Sequence, residues 1–188
     1  MTSIPPGAPS RRRFLTWSLV VAGVLSCAVF GLVAAANATN VSSGPAAGVE
    51  PPDFELPVVF GPESSFRLTQ HRGTPIVIEV FSTWCDYCRR STPVIADAAL
   101  ARRRSEVRFL AVNVDDSQAE AALAVTKWGI PYPVAWDDGR VAWTWRISAL
   151  PTVIVIDASG RVSHVGVGRP EPEDLENWLA GVGAARID

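Results

Sequence analysis

Two cysteines separated by two residues carry the clearest chemistry in the sequence. Cys85 and Cys88 lie within residues 83–90, between an apolar run at 75–81 that predicts a buried strand and a helical pattern from Arg89 to about residue 103. Free N–H groups and the positive dipole end of a helix favour a thiolate and can lower a cysteine pKa from ~8.5 toward ~7. The spacing lets the second thiol attack a mixed disulfide formed by the first. We therefore predict a redox dithiol, with Cys85 at the helix start as the nucleophile and the more shielded Cys88 as the resolving thiol.

Two other uses of such a pair are a structural zinc site and a structural disulfide. Zinc needs four ligands, whereas Cys27 lies in an apolar segment and the two histidines, His71 and His164, are isolated. A disulfide between residues on one helical turn closes almost no loop and would constrain the unfolded chain little. Redox chemistry is therefore the favoured interpretation, and we expect neither a metal nor a cofactor.

Length and composition indicate one domain with an appendage. The chain has 188 residues, 48% of them hydrophobic, and a net charge of -2. It has no basic excess of the kind that nucleic-acid binding requires, and three cysteines are too few for a disulfide scaffold.

The appendage is N-terminal. Residues 1–13 end in three arginines and precede 23 mainly apolar residues, 14–36, which are enough to span a bilayer. Positive charge before this segment and none directly after it predict a cytoplasmic N-terminus and a domain outside the membrane. A retained anchor is favoured because the apolar run exceeds a signal-peptide core. A twin-arginine export signal cleaved near residue 38 and a lipoprotein box ending at Cys27 are alternatives that deliver the domain to the same side.

The remainder divides into a linker and a folded domain. Residues 37–52 are rich in small and polar side chains and predict a flexible linker, and 53–188 form the domain. Within the domain, a β-α-β unit predicts a parallel strand pair and two hairpins add antiparallel strands. The predicted strands are 53–60, 65–69, 75–81, 107–114, 129–136, 152–157 and 161–167. The predicted helices are 89–103, 118–127, 141–145 and 171–182.

Three parts of the domain resemble the thioredoxin superfamily. They are residues 79–93, the Leu150-Pro151-Thr152 step, and Gly168 before the last helix. The leading hairpin, the extra segment at 118–136 and the sequence ISALPTVIVIDASGRV are similar to its membrane-anchored TlpA/ResA/CcmG-like branch. The resemblance covers about residues 51–182. It implies an α/β, thioredoxin-like fold: a central mixed sheet flanked by helices, with an N-terminal β-hairpin and a central insert.

The resemblance also implies roles for residues around the dithiol. Cys85 and Cys88 match the redox pair, and Trp84 matches a tryptophan that shields the sulfurs and contacts substrates. Pro151 matches a cis-proline beside the pair, although an ordinary strand-opening proline is the alternative. The backbone of Leu150 would then pair with an extended substrate chain. Gly168 is assigned to the same substrate-binding region.

Glu79 matches the buried acid that accepts a proton from the resolving thiol. Burial in an apolar strand should raise its pKa toward neutrality, which suits a general base. The alternative is a side chain that points outward at a sheet edge.

Some positions depart from the family pattern. Asp86 and Tyr87 replace the Gly-Pro of thioredoxin between the cysteines and are expected to tune the redox potential. Ala111 stands where thioredoxin has a lysine beside the buried acid, and Ser91 where ResA-like proteins have an acid.

The sequence thus predicts an extracytoplasmic thiol-disulfide oxidoreductase of the bacterial cell envelope. The resemblance implies a reductase that acts on client proteins with disulfides or thiols, with apocytochrome c as one class of client, and that is recharged by a membrane electron donor. A disulfide-forming, DsbA-like oxidase is the first alternative. A Sco-type copper carrier is the second, although that family spaces its cysteines by three and adds a histidine. The motif of peroxiredoxins is absent.

Overall fold

A computed structural model describes residues 43–104, 106–115 and 117–183. The predicted basic segment (1–13), membrane segment (14–36) and first part of the linker (37–42) lie outside the described residues. Among the described residues, no helix is long and apolar enough to cross a membrane. The strands are β1 Glu55–Phe60, β2 Ser65–Arg67, β3 Ile76–Phe81, β4 Arg108–Asn113, β5 Val134–Trp136, β6 Thr152–Ile156 and β7 Val162–Val167. The helices are α1 Asp86–Ala101, α2 Gln118–Trp128, α3 Arg140–Thr144 and α4 Pro172–Gly181, with a 3₁₀ turn at Leu68–His71.

The strands form one mixed sheet in the order β2-β1-β5-β4-β3-β6-β7. Strand β3 is parallel to β4 and antiparallel to β6, and β5 is parallel to β4. All six residues of β3 are buried because both faces of the sheet are covered, which explains the continuous apolar run. The predicted thioredoxin-like α/β fold, with its mixed sheet and N-terminal hairpin, is confirmed.

Alternation along β3 assigns its side chains to two cores. Val77 and Phe81 belong to the core that contains residues of α1, α2 and α4. Ile76, Ile78 and Val80 belong to the opposite core, which the N-terminal hairpin and the indole of Trp145 help to fill. Position 79 has the same parity as 77 and 81, so its side chain is directed to the α1 side.

The second strand of the hairpin is shorter than predicted. It ends at Arg67, and the chain continues as the 3₁₀ turn instead of extending to residue 69. Asp53 explains the change, because its carboxylate accepts hydrogen bonds from the backbone N–H and the hydroxyl of Thr69, at 3.1 and 3.0 Å. Leu68 remains buried at this turn.

The later part of the predicted linker belongs to the folded domain. Gly48 N–H donates to the carbonyl of Val162, and Val162 N–H donates to the carbonyl of Val49, so the segment is held against the start of β7. The indole N–H of Trp145 donates to the carbonyl of Pro52 at 3.0 Å. The prediction of a flexible linker is therefore wrong for residues 43–52, because the edge strand β7 offers hydrogen-bond partners that composition does not reveal.

Candidate active site

The two cysteines lie at the N-terminus of α1 and form a disulfide, with their Cα atoms 5.2 Å apart. The helix begins at Asp86, so the predicted start at Arg89 is wrong by three residues. Cys85 is the N-cap residue, with extended backbone angles, and its Sγ accepts a hydrogen bond from Cys88 N–H at 3.2 Å. The sequence pattern missed this first turn because the polar residues between the cysteines interrupt the apolar period.

The two sulfurs differ in access to solvent. Cys85 is 8% exposed and Cys88 is fully buried at 0%. Only the outer sulfur can therefore meet a partner directly, which agrees with the order of attack expected from the sequence. In the described part of the chain, no group of three or more His, Cys, Asp or Glu side chains is placed to hold a metal ion.

The loop before the cysteines is held by an acid from the neighbouring strand. Both carboxylate oxygens of Asp115, just beyond β4, accept hydrogen bonds from the backbone N–H of Thr83, at 3.1 and 3.0 Å. The hydroxyl of Ser82 donates to the same carboxylate, and the side-chain amide of Asn113 donates at 2.8 Å. Asp115 is only 4% exposed. It therefore sets the course of the chain into Cys85, a role that sequence reasoning missed.

The carboxyl group of Glu79 lies inside the core, so the outward alternative is wrong. Its Oε2 accepts a hydrogen bond from the hydroxyl of Tyr132 at 2.8 Å, and its Oε1 accepts one from Thr92 at 3.1 Å. Complete burial raises the pKa of Glu79 from 4.5 to about 7, because desolvation outweighs the hydrogen bonds that favour the carboxylate. In the parallel register, Ala111 lies beside Glu79 and supplies no cation.

Thr92 connects this acid to the resolving cysteine. Its Oγ1 lies 3.0 Å from the carbonyl oxygen of Cys88, one turn earlier in α1, as well as 3.1 Å from Glu79. A hydroxyl carries one proton, so Thr92 donates to only one of these oxygens at a time. The protonation of Glu79 is thereby linked to the first turn of the helix that carries both sulfurs.

The Leu150–Pro151 peptide bond is cis, as the resemblance implied. The backbone N–H of Gly168 donates to the carbonyl of Pro151 at 2.8 Å, and Gly168 has a φ of +88°. Pro151, directly before β6, and Gly168, directly after β7, are therefore neighbours at the open end of the β6–β7 hairpin. A side chain at position 168 would strain this backbone conformation.

An open groove of about 520 Å³ runs over the outer sulfur. One wall is the start of α1, and the other precedes the cis-proline. The lining residues are Trp84, Cys85, Asp86, Tyr87, Val114, Ala142, Ile147, Ser148, Ala149 and Leu150.

The predicted site residues of the α1 wall differ in exposure. Trp84 is 75% exposed and Tyr87 64%, so the indole faces mostly solvent and covers the sulfurs less than expected. Asp86 pairs with Arg89 at 3.5 Å on the surface of α1. The guanidinium of Arg90 lies 4.6 Å from the centre of the Tyr87 ring.

His164 does not line this groove. It lies on β7 and stacks on Trp178, with ring centroids 4.0 Å apart. The Sco-type copper carrier, which would add a histidine to the cysteine pair, therefore gains no support from the position of His164.

Comparison with known proteins gives consistent matches. The Redoxin family model matches residues 46–179. The thiol-disulfide oxidoreductase ResA of Geobacillus thermodenitrificans (strain NG80-2) is 28% identical over 160 residues, which cover 85% of this chain and 91% of that protein. The thiol:disulfide interchange protein DsbE of Xylella fastidiosa (strain 9a5c) is 31% identical over 134 residues, which cover 70% of this chain and 66% of that protein.

Solved structures share the fold. A thiol:disulfide interchange protein of the thioredoxin family from Chlorobium tepidum TLS superposes with a TM-score of 0.63 at 24% identity and covers 75% of this chain and 98% of that chain. The structure of dsbF from MTB, in its mixed oxidized and reduced forms, superposes with a TM-score of 0.62 at 24% identity. The match covers 69% of this chain and 94% of that chain.

Proposed function

Because the chain belongs to the redoxin family, as a TlpA/ResA/CcmG-like member of the thioredoxin superfamily, we propose that it reduces disulfides of client proteins outside the cytoplasmic membrane. The general activity follows from the family: the chain is a thioredoxin-like protein-disulfide oxidoreductase, and its clients carry disulfides or thiols. The direction of exchange, the compartment and the residue roles below are the proposal.

One observation carries the proposal. The outer sulfur, Cys85, lies at a helix N-terminus in an open groove, and the inner sulfur, Cys88, is buried on a helix turn linked to an acid with a pKa of about 7. The first arrangement favours a thiolate that a client can reach. The second gives the shielded thiol a nearby group that takes up a proton near neutral pH.

In the proposed reaction, the Cys85 thiolate attacks one sulfur of a client disulfide. A Cys85–client disulfide forms, and the other client sulfur leaves as a thiolate. Cys88 then loses its proton to Glu79 and attacks the sulfur of Cys85, which releases the second client sulfur and closes the Cys85–Cys88 disulfide. Two electrons pass from the dithiol to the client, whose two sulfurs end as thiols after taking up two protons.

The groove walls would hold the client during this exchange. Trp84 presents its exposed indole face, and the backbone of Leu150 pairs with an extended client segment beside Pro151. Gly168 keeps the neighbouring turn free of a side chain. These assignments make Trp84, Leu150, Pro151 and Gly168 the substrate-binding set.

The reductase direction is supported by the charges around the pair. A disulfide oxidises its clients strongly when its reduced form is stabilised, as a thiolate next to positive charge is. Here Asp86 follows Cys85 directly, and Glu79 lies beneath the first turn of the helix. Negative charge in these positions disfavours the Cys85 thiolate, although Arg89 and the helix dipole oppose it. In the proposal, Asp86 and Tyr87 tune the potential, the acidic pair of Asp86 and Glu79 shifts it toward reduction relative to the helix dipole acting alone, and a membrane electron donor restores the dithiol.

The test is the reduction potential of the full-length protein, equilibrated with redox buffers. We expect a value nearer thioredoxin, about −270 mV, than DsbA, about −120 mV. Cys88→Ser should accumulate mixed disulfides with clients, and Cys85→Ser should not. A potential near that of DsbA would reverse the proposed direction. Trapping by Cys85→Ser alone would overturn the assignment of the nucleophile.

A further inference from the structure

Two residues that precede the predicted domain hold the wall of the groove opposite the cysteines. The hydroxyl oxygen of Ser43 accepts hydrogen bonds from the backbone N–H groups of Ser148 and Ala149, at 3.0 and 3.3 Å. The N–H of Gly44 donates to the carbonyl of Arg146 at 3.1 Å. Ser43 is 1% exposed, so these contacts lie inside the domain.

The directions of the hydrogen bonds in this cluster can be assigned. Thr152 Oγ1 donates its proton to the carbonyl of Ala149 at 2.7 Å. The 2.9 Å contact between the hydroxyls of Ser43 and Thr152 must therefore use the proton of Ser43. Ser43 then donates once and accepts twice, which is the full capacity of a hydroxyl group. Among small side chains, only serine and threonine can donate one hydrogen bond and accept two in this way.

The residue directly before the wall has a strained backbone. Arg146 has a φ of +56°, in the left-handed region that side chains other than glycine rarely adopt. Its carbonyl is the one that Gly44 binds. The next four residues, 147–150, line the groove and lead directly into the cis-proline.

Gly44 has a backbone conformation that a side chain would strain. Its φ is +100°, and a Cβ atom there would lie 3.2 Å from Val165 Cγ1, a tight contact, and 3.7 Å from both Ile147 Cδ1 and Thr152 Cγ2. Glycine adopts this φ without strain, which favours the contact with Arg146.

We propose that Ser43 and Gly44 act as a latch that positions the groove wall 147–150 for a polypeptide client. Ser43 is a positioning residue, because it touches the wall and neither sulfur. The latch affects the docking of a polypeptide along the wall and leaves the exchange chemistry of Cys85 and Cys88 unchanged. The inference rests on the proposed use of this groove by clients and holds for either redox direction, since both directions pass through the same mixed disulfide.

The experiment compares a polypeptide disulfide with a small one. The full-length protein is reduced and mixed in single turnover with insulin, whose docking requires the wall, or with 5,5′-dithiobis(2-nitrobenzoic acid), which needs only the outer sulfur. Ser43→Ala should raise the half-saturating insulin concentration about fivefold, which is the effect expected from the net loss of one hydrogen bond. Its limiting rate and its rate with the small disulfide should stay within about twofold of the wild type.

Two further variants separate positioning from folding. Thr152→Val removes the hydroxyl that Ser43 contacts but keeps the shape of the side chain, and it should raise the half-saturating insulin concentration. Thr152→Ser keeps the hydroxyl and should leave that concentration at the wild-type value. Ser159→Ala is the control, since that exposed hydroxyl binds Asp157 in the turn at the far end of β6. Cooperative unfolding and far-ultraviolet circular dichroism establish that each variant is folded.

Each outcome decides the question. An unchanged insulin dependence in folded Ser43→Ala overturns the latch, as does an equal loss with both disulfides, which would place the defect at the sulfurs. If Ser43→Ala does not fold, Thr152→Val against Thr152→Ser is decisive in the same way. A wrong redox direction would appear in the reduction potential, and the same variants would then be compared in the opposite sense, with the oxidised protein and a reduced polypeptide.

Discussion

The carboxyl group of Glu79 shows how one residue acquires its chemistry from its surroundings. Its strand neighbours are apolar, the register places Ala111 beside it, and its hydrogen-bond donors are the neutral hydroxyls of Tyr132 and Thr92. With no cation in contact, desolvation dominates and the pKa rises to about 7. A proton acceptor poised near neutrality is what the resolving thiol requires.

Glu79→Gln should make the oxidised protein more stable at alkaline pH. The pKa of Glu79 is 4.5 in the unfolded chain and about 7 when folded, so the folded state binds the extra proton between these values. Stability of the wild type is therefore full below pH 4.5 and falls as pH rises through 7, by about 3 kcal/mol. The free energy of unfolding of the variant, measured with denaturant from pH 4.5 to 8.5, should lack this fall.

Asp97→Asn, on the exposed face of α1, is the control and should parallel the wild type. The same Glu79→Gln protein should also resolve mixed disulfides about 10²-fold more slowly near neutral pH, since it has no base for Cys88. Parallel stability profiles for wild type and Glu79→Gln would contradict the burial of a titrating acid. An unchanged rate would remove Glu79 from the mechanism.

At the scale of elements, the site forms where three parallel strands end. Strand β3 leads into the cysteine loop, β4 ends beside Asp115, and β5 leads into Asp137. Parallel strands bring their carboxyl ends to one edge of the sheet, so the acids that follow β4 and β5 lie among the loops that carry the site. Asp115 holds the loop of the cysteines, and Asp137 holds α3, whose Ala142 lines the groove.

Asp137→Ala should destabilise the protein by about 1–2 kcal/mol. The carboxylate of Asp137 is fully buried and accepts hydrogen bonds from the N–H groups of Val141 and Ala142, at 3.0 and 2.8 Å. Helix α3 has five residues and cannot compensate for a lost cap by its own length. Denaturant unfolding of the oxidised protein measures the change.

The neighbouring acid provides the matched control for this substitution. Asp138 pairs with the exposed Arg140 guanidinium at 2.9 Å and accepts a longer hydrogen bond, 3.3 Å, from the backbone N–H of Arg140. Both contacts are exposed to solvent, so Asp138→Ala should cost clearly less unfolding free energy than Asp137→Ala. Equal losses from the two variants would show that α3 does not depend on the buried cap.

At the scale of the whole molecule, the proposed location depends on the segment before the domain. Residues 14–36 would measure about 35 Å as a helix, against a hydrocarbon core of about 30 Å. The latch at Ser43 begins seven residues after this segment.

The full-length protein should remain in the membrane fraction after carbonate extraction. A Val24→Arg substitution places a charge near the centre of the apolar run, costs about 2.5–3.5 kcal/mol of insertion free energy, and should release a fraction of the protein. Labelling tests the side of the membrane. An impermeant maleimide should modify reduced Cys85 in intact cells, and labelling only after lysis would contradict the proposed compartment.

The order of elements and the identity of the dithiol could be predicted from the sequence because both are local signals. Apolar runs and helical periodicity located the last helix and most strands within about two residues. The fifth strand is the exception, because it begins at Val134 and not at the predicted residue 129. The C-x-x-C spacing and the Leu150-Pro151 step identified the two sides of the groove. The start of α1 was predicted at Arg89, three residues late, because the helix begins where Cys85 caps it. Hydrophobic periodicity does not detect such a cap.

The residues that support the dithiol were decided by the tertiary structure alone. Asp115 meets Thr83 across 32 positions, Tyr132 meets Glu79 across 53, and Ser43 meets Thr152 across 109. The supporting residues Asp115, Tyr132 and Ser43 carry no signal in the sequence that identifies their partners. Their partners are chosen by strand order and register, which bring distant loops to one edge of the sheet. The sequence by itself therefore predicted which two sulfurs pair, because their spacing is local, and only the packing of the sheet decided which distant side chains surround them.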